Sequence, residues 1–309
     1  MSARKYTGEE LIASVRQIGM IPDTGSTGTE DTDILNYINE AVSLLIMPPL
    51  LRTRENYFIQ RERTALSTST TRYVIPHRAL YQKLRDIFYI DDNGDRYCLA
   101  SIPPGHRNYW RDSEQPHPAG FFIEGNYIVL VPEDSTSYSG YLEFVYFSRP
   151  GEIVKTTSAG VISSVDTATK TITCTADVSS LFSSGDSLDV HSPHSGAELR
   201  QWDLTVTNVS TTDVTFSEEI DGSAFGTTAL AAGDYVCIAE EAALPALPRE
   251  FHPLVARATA LYVAESIGDT NGIKAHGEMF QRQLMEAIGA VESRTEGRPI
   301  RLGGFGGFC

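Results

Sequence analysis

The chain has 309 residues and a formal net charge of −15, with 41% hydrophobic and 21% charged residues. That is the balance of a globular chain long enough for two or three domains, and it excludes wholesale disorder, a collagen-like fibre and a disulfide scaffold. It also excludes a nucleic-acid binder that works by overall attraction to phosphate, while leaving room for a local basic patch. No run of ~18 uninterrupted apolar residues is present, so no transmembrane helix is expected. The first residues, Met1 to Lys5, carry no apolar signal-peptide core. Cys98, Cys174, Cys237 and Cys309 form no CxxC pair, which fits a reduced compartment and no zinc knuckle.

In chain order, Thr7-Gly8-Glu9-Glu10 is a T-x-x-E capping box, and Leu11, Val15 and Ile18 follow at helical spacing. A second helix is expected from Thr29 or Asp31. Its stripe is Ile34, Leu35, Ile38, Ala41, Val42, Leu45 and Ile46, and Pro48-Pro49 should stop it. Short strands are then expected at 57–62 and 72–75. Strands 86–91 and 96–100 flank Asp92-Asn93-Gly94-Asp95, and strands 120–124 and 127–131 flank Gly125-Asn126, two hairpin signals. Segment 140–147 is apolar on both faces and should be buried. Segment 102–118, rich in Pro, His, Arg and Trp, should be a surface loop.

Segment 156–240 is different in composition. It is rich in Ser, Thr, Asp, Gly and Val, and its twelve carboxylates face only Lys170 and Arg200, a formal −10. Expected strands at 161–165, 171–175, 187–191, 203–209, 214–217 and 235–239 suggest a small β-barrel or sandwich inserted into a host domain. Helical periodicity returns after Pro248, with one stripe through Phe251, Leu254, Val255, Ala258, Leu261 and Tyr262. The loop 268–272 breaks it, and a second stripe runs through Ile273, Phe280, Leu284, Ile288 and Val291. The last 13 residues, GRPIRLGGFGGFC, carry Arg298 and Arg301 and no acidic side chain. Such a segment cannot make a core alone and should be a flexible tail in the free chain.

The fold class expected is therefore α+β: a helical bundle from the N- and C-terminal helix pairs, β-hairpins, an inserted all-β domain and an extended C-terminal tail. The domains are 1–155 with 241–296, then 156–240, then 297–309.

The catalytic readings are weak, the one carried as a third alternative being a hydrolase using Ser187. Gly185-Asp186-Ser187-Leu188 matches a lipase/esterase block, but no His in the chain has Asp three residues before it, and the block precedes a strand. Asp91, Asn93 and Asp95 have calcium-loop spacing, but Arg96 and Ile102 stand where Gly and Glu are needed. His191 and His194 straddle Pro193 without a third ligand. Glu218-Glu219 reads as a solvated strand edge, because adjacent strand residues point to opposite faces. No phosphate-binding glycine motif is present. The expectation is no enzyme, no cofactor and no metal. Arg107, Tyr109, Trp110 and Arg111 form an aromatic-basic loop, expected as a subunit or tail contact rather than a DNA-base reader.

The order of elements, with 31–46 (DTDILNYINEAVSLLI), 127–132 (YIVLVP), 141–150 (YLEFVYFSRP) and the late helices 254–267 and 279–288, resembles the head-to-tail adaptor (connector) proteins of tailed bacteriophages. The resemblance implies a virion protein of the head–tail junction, a ring of about twelve copies stacked on the portal protein and continuing the DNA channel toward a downstream tail or nozzle protein. DNA would pass without sequence-specific binding, and no membrane is involved. The resemblance also implies a C-terminal tail that docks into the portal, a role that falls here on Arg298, Ile300, Arg301, Leu302, Phe305 and Phe308. Their four apolar side chains alone cannot offset the entropy of ordering the tail, so backbone pairing and charge-assisted bonds from the arginines are required. A rival reading makes the β-domain a binding module, a carbohydrate or host-surface reader mounted on the helices.

Overall fold

A computed structural model describes residues 6–21, 29–53, 55–67, 70–106, 117–132, 138–194, 196, 198–221 and 229–291. The chain is mixed α+β, with helices at both ends of the sequence, two four-stranded sheets and a closed six-stranded barrel between them.

Helix α1 (Gly8–Gly19) begins at the capping box. The Thr7 hydroxyl oxygen accepts from the Glu10 N–H at 3.4 Å, and the Glu10 carboxylate reaches one residue further back than usual, to the Tyr6 N–H at 2.6 Å. Helix α2 (Asp31–Ala41) does not stop at the two prolines. It passes through a π-helical turn, Val42–Ile46, into α3 (Met47–Thr53), so Pro48 and Pro49 lie inside a continuing helix. The reason is local: the wide turn closes on a Met47 N–H to Val42 carbonyl bond. The prolines then fall in the first turn of a fresh α segment, where a missing N–H costs nothing. Burial of Met47 and Leu50 holds the extension in place.

By length and composition alone, the continuous helix Asp31–Thr53 is apolar enough to cross a membrane, a feature that a search for uninterrupted apolar runs overlooks. In the fold, its Ile34, Ile38, Ile46 and Leu50 are fully buried.

The chain then builds two antiparallel-rich sheets. The first contains β1 (Ile59–Ala65), β3 (Ala79–Ile90), β4 (Arg96–Cys98) and β8 (Tyr141–Ser148), in the order β1-β8-β3-β4. The second contains β2 (Arg72–Val74), β5 (Ala100–Ser101), β6 (Gly120–Glu124) and β7 (Tyr127–Val131), in the order β2-β7-β6-β5. Both expected hairpins are present, with Gly94 and Gly125 at positive φ in their turns. The hairpins are parts of a larger unit: Ile87, Leu142, Phe144 and Tyr146 of the first sheet share one apolar cluster with Tyr73, Phe121, Ile128 and Leu130 of the second. Strand β8 is buried along almost its whole length, as its two apolar faces require.

Two short strands, β9 (Glu152–Ile153) and β16 (Glu241–Ala242), pair in parallel and tie together the segments leading into and out of the barrel. The barrel is formed by β10 (Gly160–Asp166), β11 (Thr171–Cys174), β12 (Ser187–His191), β13 (Leu199–Val209), β14 (Asp213–Phe216) and β15 (Tyr235–Ile238), closed in the order β10-β11-β14-β13-β12-β15. Its alternate residues, among them Ile162, Ile172, Leu188, Leu204, Val214 and Val236, fill the interior. Glu218 and Glu219 lie just past β14 rather than on a strand edge. Glu218 accepts from the N–H and hydroxyl of Thr205, and Glu219 pairs with Lys170.

The late helices are α4 (His252–Ile267), ended by Gly268 in the left-handed conformation, and α5 (Thr270–Val291). One apolar cluster contains Leu11 and Val15 of α1, Ile34 and Ile38 of α2, Leu50 of α3, Val255 and Ala258 of α4, and Phe280 and Leu284 of α5. The helices from the two ends of the chain are therefore packed together.

Candidate interaction site

The residues singled out from the sequence as contacts, Arg107, Tyr109, Trp110 and Arg111 in the long loop and Arg298, Ile300, Arg301, Leu302, Phe305 and Phe308 in the tail, lie outside the described residues. The other sequence candidates are placed. Asp91 accepts the N–H groups of Asn93 (2.9 Å) and Asp95 (2.8 Å), which is the work of a hairpin turn. His191 is buried, with Nδ1 3.1 Å from the Gly196 carbonyl and Nε2 2.8 Å from the Glu241 carbonyl, and burial holds its pKa below the ordinary imidazole value. Among the described residues no group of three or more His, Cys, Asp or Glu is placed to hold a metal ion. Ser187 opens strand β12, opposite Thr205, rather than a strand-to-helix turn. Trp202, Phe182 and Phe216 are buried, so none of them offers an open ring on the barrel surface; Phe225 lies outside the described residues.

A feature that sequence reasoning missed joins the barrel to the two sheets. Arg78 sits just before β3, and its guanidinium holds two carboxylates of the barrel. It meets Asp189 through Nη1 and Nη2 at 2.7 and 2.8 Å, and Asp203 through Nη2 and Nε at 2.6 and 3.2 Å. Asp189 is fully buried and also accepts the N–H groups of Asp203 (3.1 Å) and Glu240 (2.8 Å). Both partners are thus charged, forked and hydrogen-bonded, the condition under which a buried ion pair is tolerated. Burial pulls the Arg78 pKa down, but Asp203 and Asp189 outweigh it and hold it above the ordinary arginine value. Nearby, burial raises the Glu62 pKa although Tyr146 donates to its carboxylate at 3.1 Å. The available signal was Asp189 itself, a lone charge in the apolar run Leu188-Asp189-Val190.

Beside this joint lies a cleft of about 360 Å³ between β1, residues 148–151 and the start of β13, lined by Tyr57, Arg61, Arg63, Arg149 and Trp202 among others. Arg61 and Arg63 also belong to the face of the first sheet that looks away from the shared apolar cluster. Register puts Arg61 opposite Val145 and Arg63 opposite Glu143 on β8, and the same two β8 residues face Asp86 and Phe88 of β3 on their other side. Glu143, 2% exposed, receives Arg63 (Nε to Oε2, 3.0 Å) and also Arg96. Arg96 lies 3.6 Å over the Phe88 ring, and the Lys83 ammonium lies 4.9 Å over Phe147. Arg85, at an irregularity in β3, pairs with Asp86 at 3.4 Å. On and beside this face, Arg63 and Arg96 pair with Glu143, Arg85 pairs with Asp86, and Arg61 and Lys83 stand close by. Val145 and Phe147 on this face are both buried, while Arg61 and Lys83 have no ion-pair partner among the described residues. The result is a cationic surface on an acidic chain.

The same strand carries local strain. Between the pairs Ala79–Ser148 and Leu84–Tyr146, β3 spends four residues opposite Phe147 alone, and Tyr81 (φ 54°) and Gln82 (φ 55°) both take the left-handed conformation. Tyr81 is 79% exposed at this protrusion.

No family model matches this chain, and no curated protein matches it.

Proposed function

We propose that the chain is a structural, non-enzymatic head-to-tail adaptor of a tailed bacteriophage. Its role is to form a ring of about twelve copies under the portal, to continue the DNA channel, and to connect to a downstream tail or nozzle protein. The observation that carries the reading is the packing of α1, α2 and α3 with α4 and α5 in one apolar cluster. We read that cluster as the core of a helical bundle made from both ends of the chain, with the β elements borne between them, the order that the resemblance implies. Residues 297–309 follow the last helix and supply Arg298, Ile300, Arg301, Leu302, Phe305 and Phe308 for docking into the portal. Formal charge of −15 suits a conduit, because carboxylates repel phosphate and let DNA slide without sticking.

Native mass spectrometry of the protein with and without its portal tests this reading. The expected result is a ring of copies on the portal, lost on deletion of residues 297–309 while the melting temperature stays unchanged. Normal joining of heads to tails by the truncated protein overturns it.

A further inference from the structure

We propose that the cationic outer face of the β1-β8-β3-β4 sheet docks the acidic β-barrel of a second copy of this chain. The inference rests on the ring reading and names the surfaces through which neighbours in the ring meet.

Charge is segregated within one molecule. Segment 156–240, which contains the barrel, has twelve carboxylates against Lys170 and Arg200, two-thirds of the net charge of the whole chain. Part of that acidity is used internally, since Asp189 and Asp203 are held by Arg78 of the same copy. Asp234, beside Arg200, is buried as well, and other carboxylates face outward. Asp166 and Asp177 are exposed and only cap their own turns, through the N–H groups of Ala168 and Ser179, with no cation beside them among the described residues. Glu198 and Glu219 are about half exposed at 49% and 56%, paired among the described residues with Arg200 and Lys170. The sheet face offers the complement: Arg61 and Lys83 are exposed and have no carboxylate partner among the described residues, and Arg63 and Arg96 share one carboxylate between them.

Two different patches on one chain make a heterologous contact, the kind that forms a ring when its rotation closes, as stacking on a portal ring would require. A nucleic acid is the poorer occupant. It would meet the repulsive field of the whole acidic molecule along its length, whereas the barrel brings its carboxylates within one small domain. The Phe88 and Phe147 rings of this face already carry Arg96 and Lys83, so they do not form a stacking platform for bases. Exposed ion pairs are individually weak. The contact is therefore suited to copies held close together by the portal, where effective concentration is high.

Sedimentation velocity at low ionic strength (about 0.01 M, where screening reaches about 30 Å) against about 1 M salt tests the proposal. Wild type is expected to self-associate at low salt and to be single at high salt. Two variants split the interface. R61E/K83E removes the face, and D166N/D177N/E198Q/E219Q weakens the barrel while keeping the turn-capping amides. Each variant alone should associate at least about tenfold more weakly than wild type. An equimolar mixture should give a two-copy species and nothing larger, because each member keeps one intact surface.

Wild-type behaviour of R61E/K83E, failure of the mixture to pair, a wild type that stays single at low salt, or capture of a short DNA duplex through Arg61 and Lys83 without self-association each overturns the proposal. Rings of R61E/K83E on the portal would remove this interface and leave the adaptor reading standing. Absence of wild-type rings on the portal would remove both.

Discussion

Asn39 and Ile153 exchange two hydrogen bonds. The Ile153 N–H donates to Asn39 Oδ1 at 2.8 Å, and Asn39 Nδ2 donates to the Ile153 carbonyl at 3.2 Å. The side-chain amide of α2 thus behaves as one more residue of strand pairing alongside β9, and it fixes where the chain leaves the helices for the barrel. Asn39→Ala leaves a buried donor and acceptor without partners and should cost about 1–3 kcal/mol, read as a lower urea midpoint. Asn39→Asp should not restore the loss, because a carboxylate has no N–H for the Ile153 carbonyl. An unchanged midpoint for Asn39→Ala would remove this account of the junction.

The Arg78 joint makes a stronger demand. Asp189 is fully buried, so Arg78→Met strands a carboxylate in the interior and should cost about 3–5 kcal/mol in denaturant unfolding. Arg78→Lys should recover only a minor part, since an ammonium cannot fork onto two carboxylates at once. The loss should appear in hydrogen exchange as faster opening of β12 and β13, the strands that carry Asp189 and Asp203. A cost below about 1 kcal/mol would place the pair among surface bridges and contradict the geometry.

Acid should destabilise the helical region through His252. Its Nε2 lies 3.1 Å from the Leu247 carbonyl and must carry the proton, while buried Nδ1 has no hydrogen-bond partner. Burial is the main cause that lowers its folded-state pKa from 6.5; Arg249 also lowers it, against a Leu247 carbonyl that works in the other direction. The unfolded chain then binds more protons between the two values, so stability rises with pH through that window and is lost as pH falls below about 6.5. Half-buried Glu62 and Glu241 and buried Asp234 have raised pKa values and act with the opposite sign, while His191 and His276, also lowered by burial, act with the same sign, so the His252 contribution is best isolated by difference. Between about pH 7.5 and about pH 5.5, wild type should lose more stability than His252→Gln, whose amide can still donate to Leu247. Parallel pH curves for the two proteins would refute the assignment.

What was legible in the sequence was what local physics decides. Alternation of apolar and polar residues placed β12 at 187–191 and most of the other barrel strands within a residue or two, because a strand with a buried face resists a register slip, and Asn93-Gly94 and Gly125-Asn126 marked the hairpin turns of the two four-stranded sheets. The capping box located the start of α1. What was hidden depends on partners far along the chain. Arg78 and Asp189 are 111 residues apart, and neither carries a pattern that announces the other. The face-to-face pairing of the two four-stranded sheets was read only as separate hairpins, since nothing local in Tyr73 or Phe121 names Phe144 as a neighbour. Pro48-Pro49 misled for the opposite reason: a strong local stop signal was overridden by a π-helical turn and by burial of the residues around it. The cationic outer face escaped notice because its members come from three strands and are diluted in an acidic composition.

The parallel tie between Glu152–Ile153 and Glu241–Ala242 has a consequence for ancestry. The Glu152 N–H meets the Glu240 carbonyl at 2.7 Å and the Val154 N–H meets the Ala242 carbonyl at 3.0 Å, so the two ends of a segment of more than eighty residues stand side by side. A stretch of gene encoding such a unit can be acquired, discarded or exchanged between lineages with only a short bridge left at the scar, provided that Arg78, which the barrel carboxylates satisfy, is replaced on the other side of the tie.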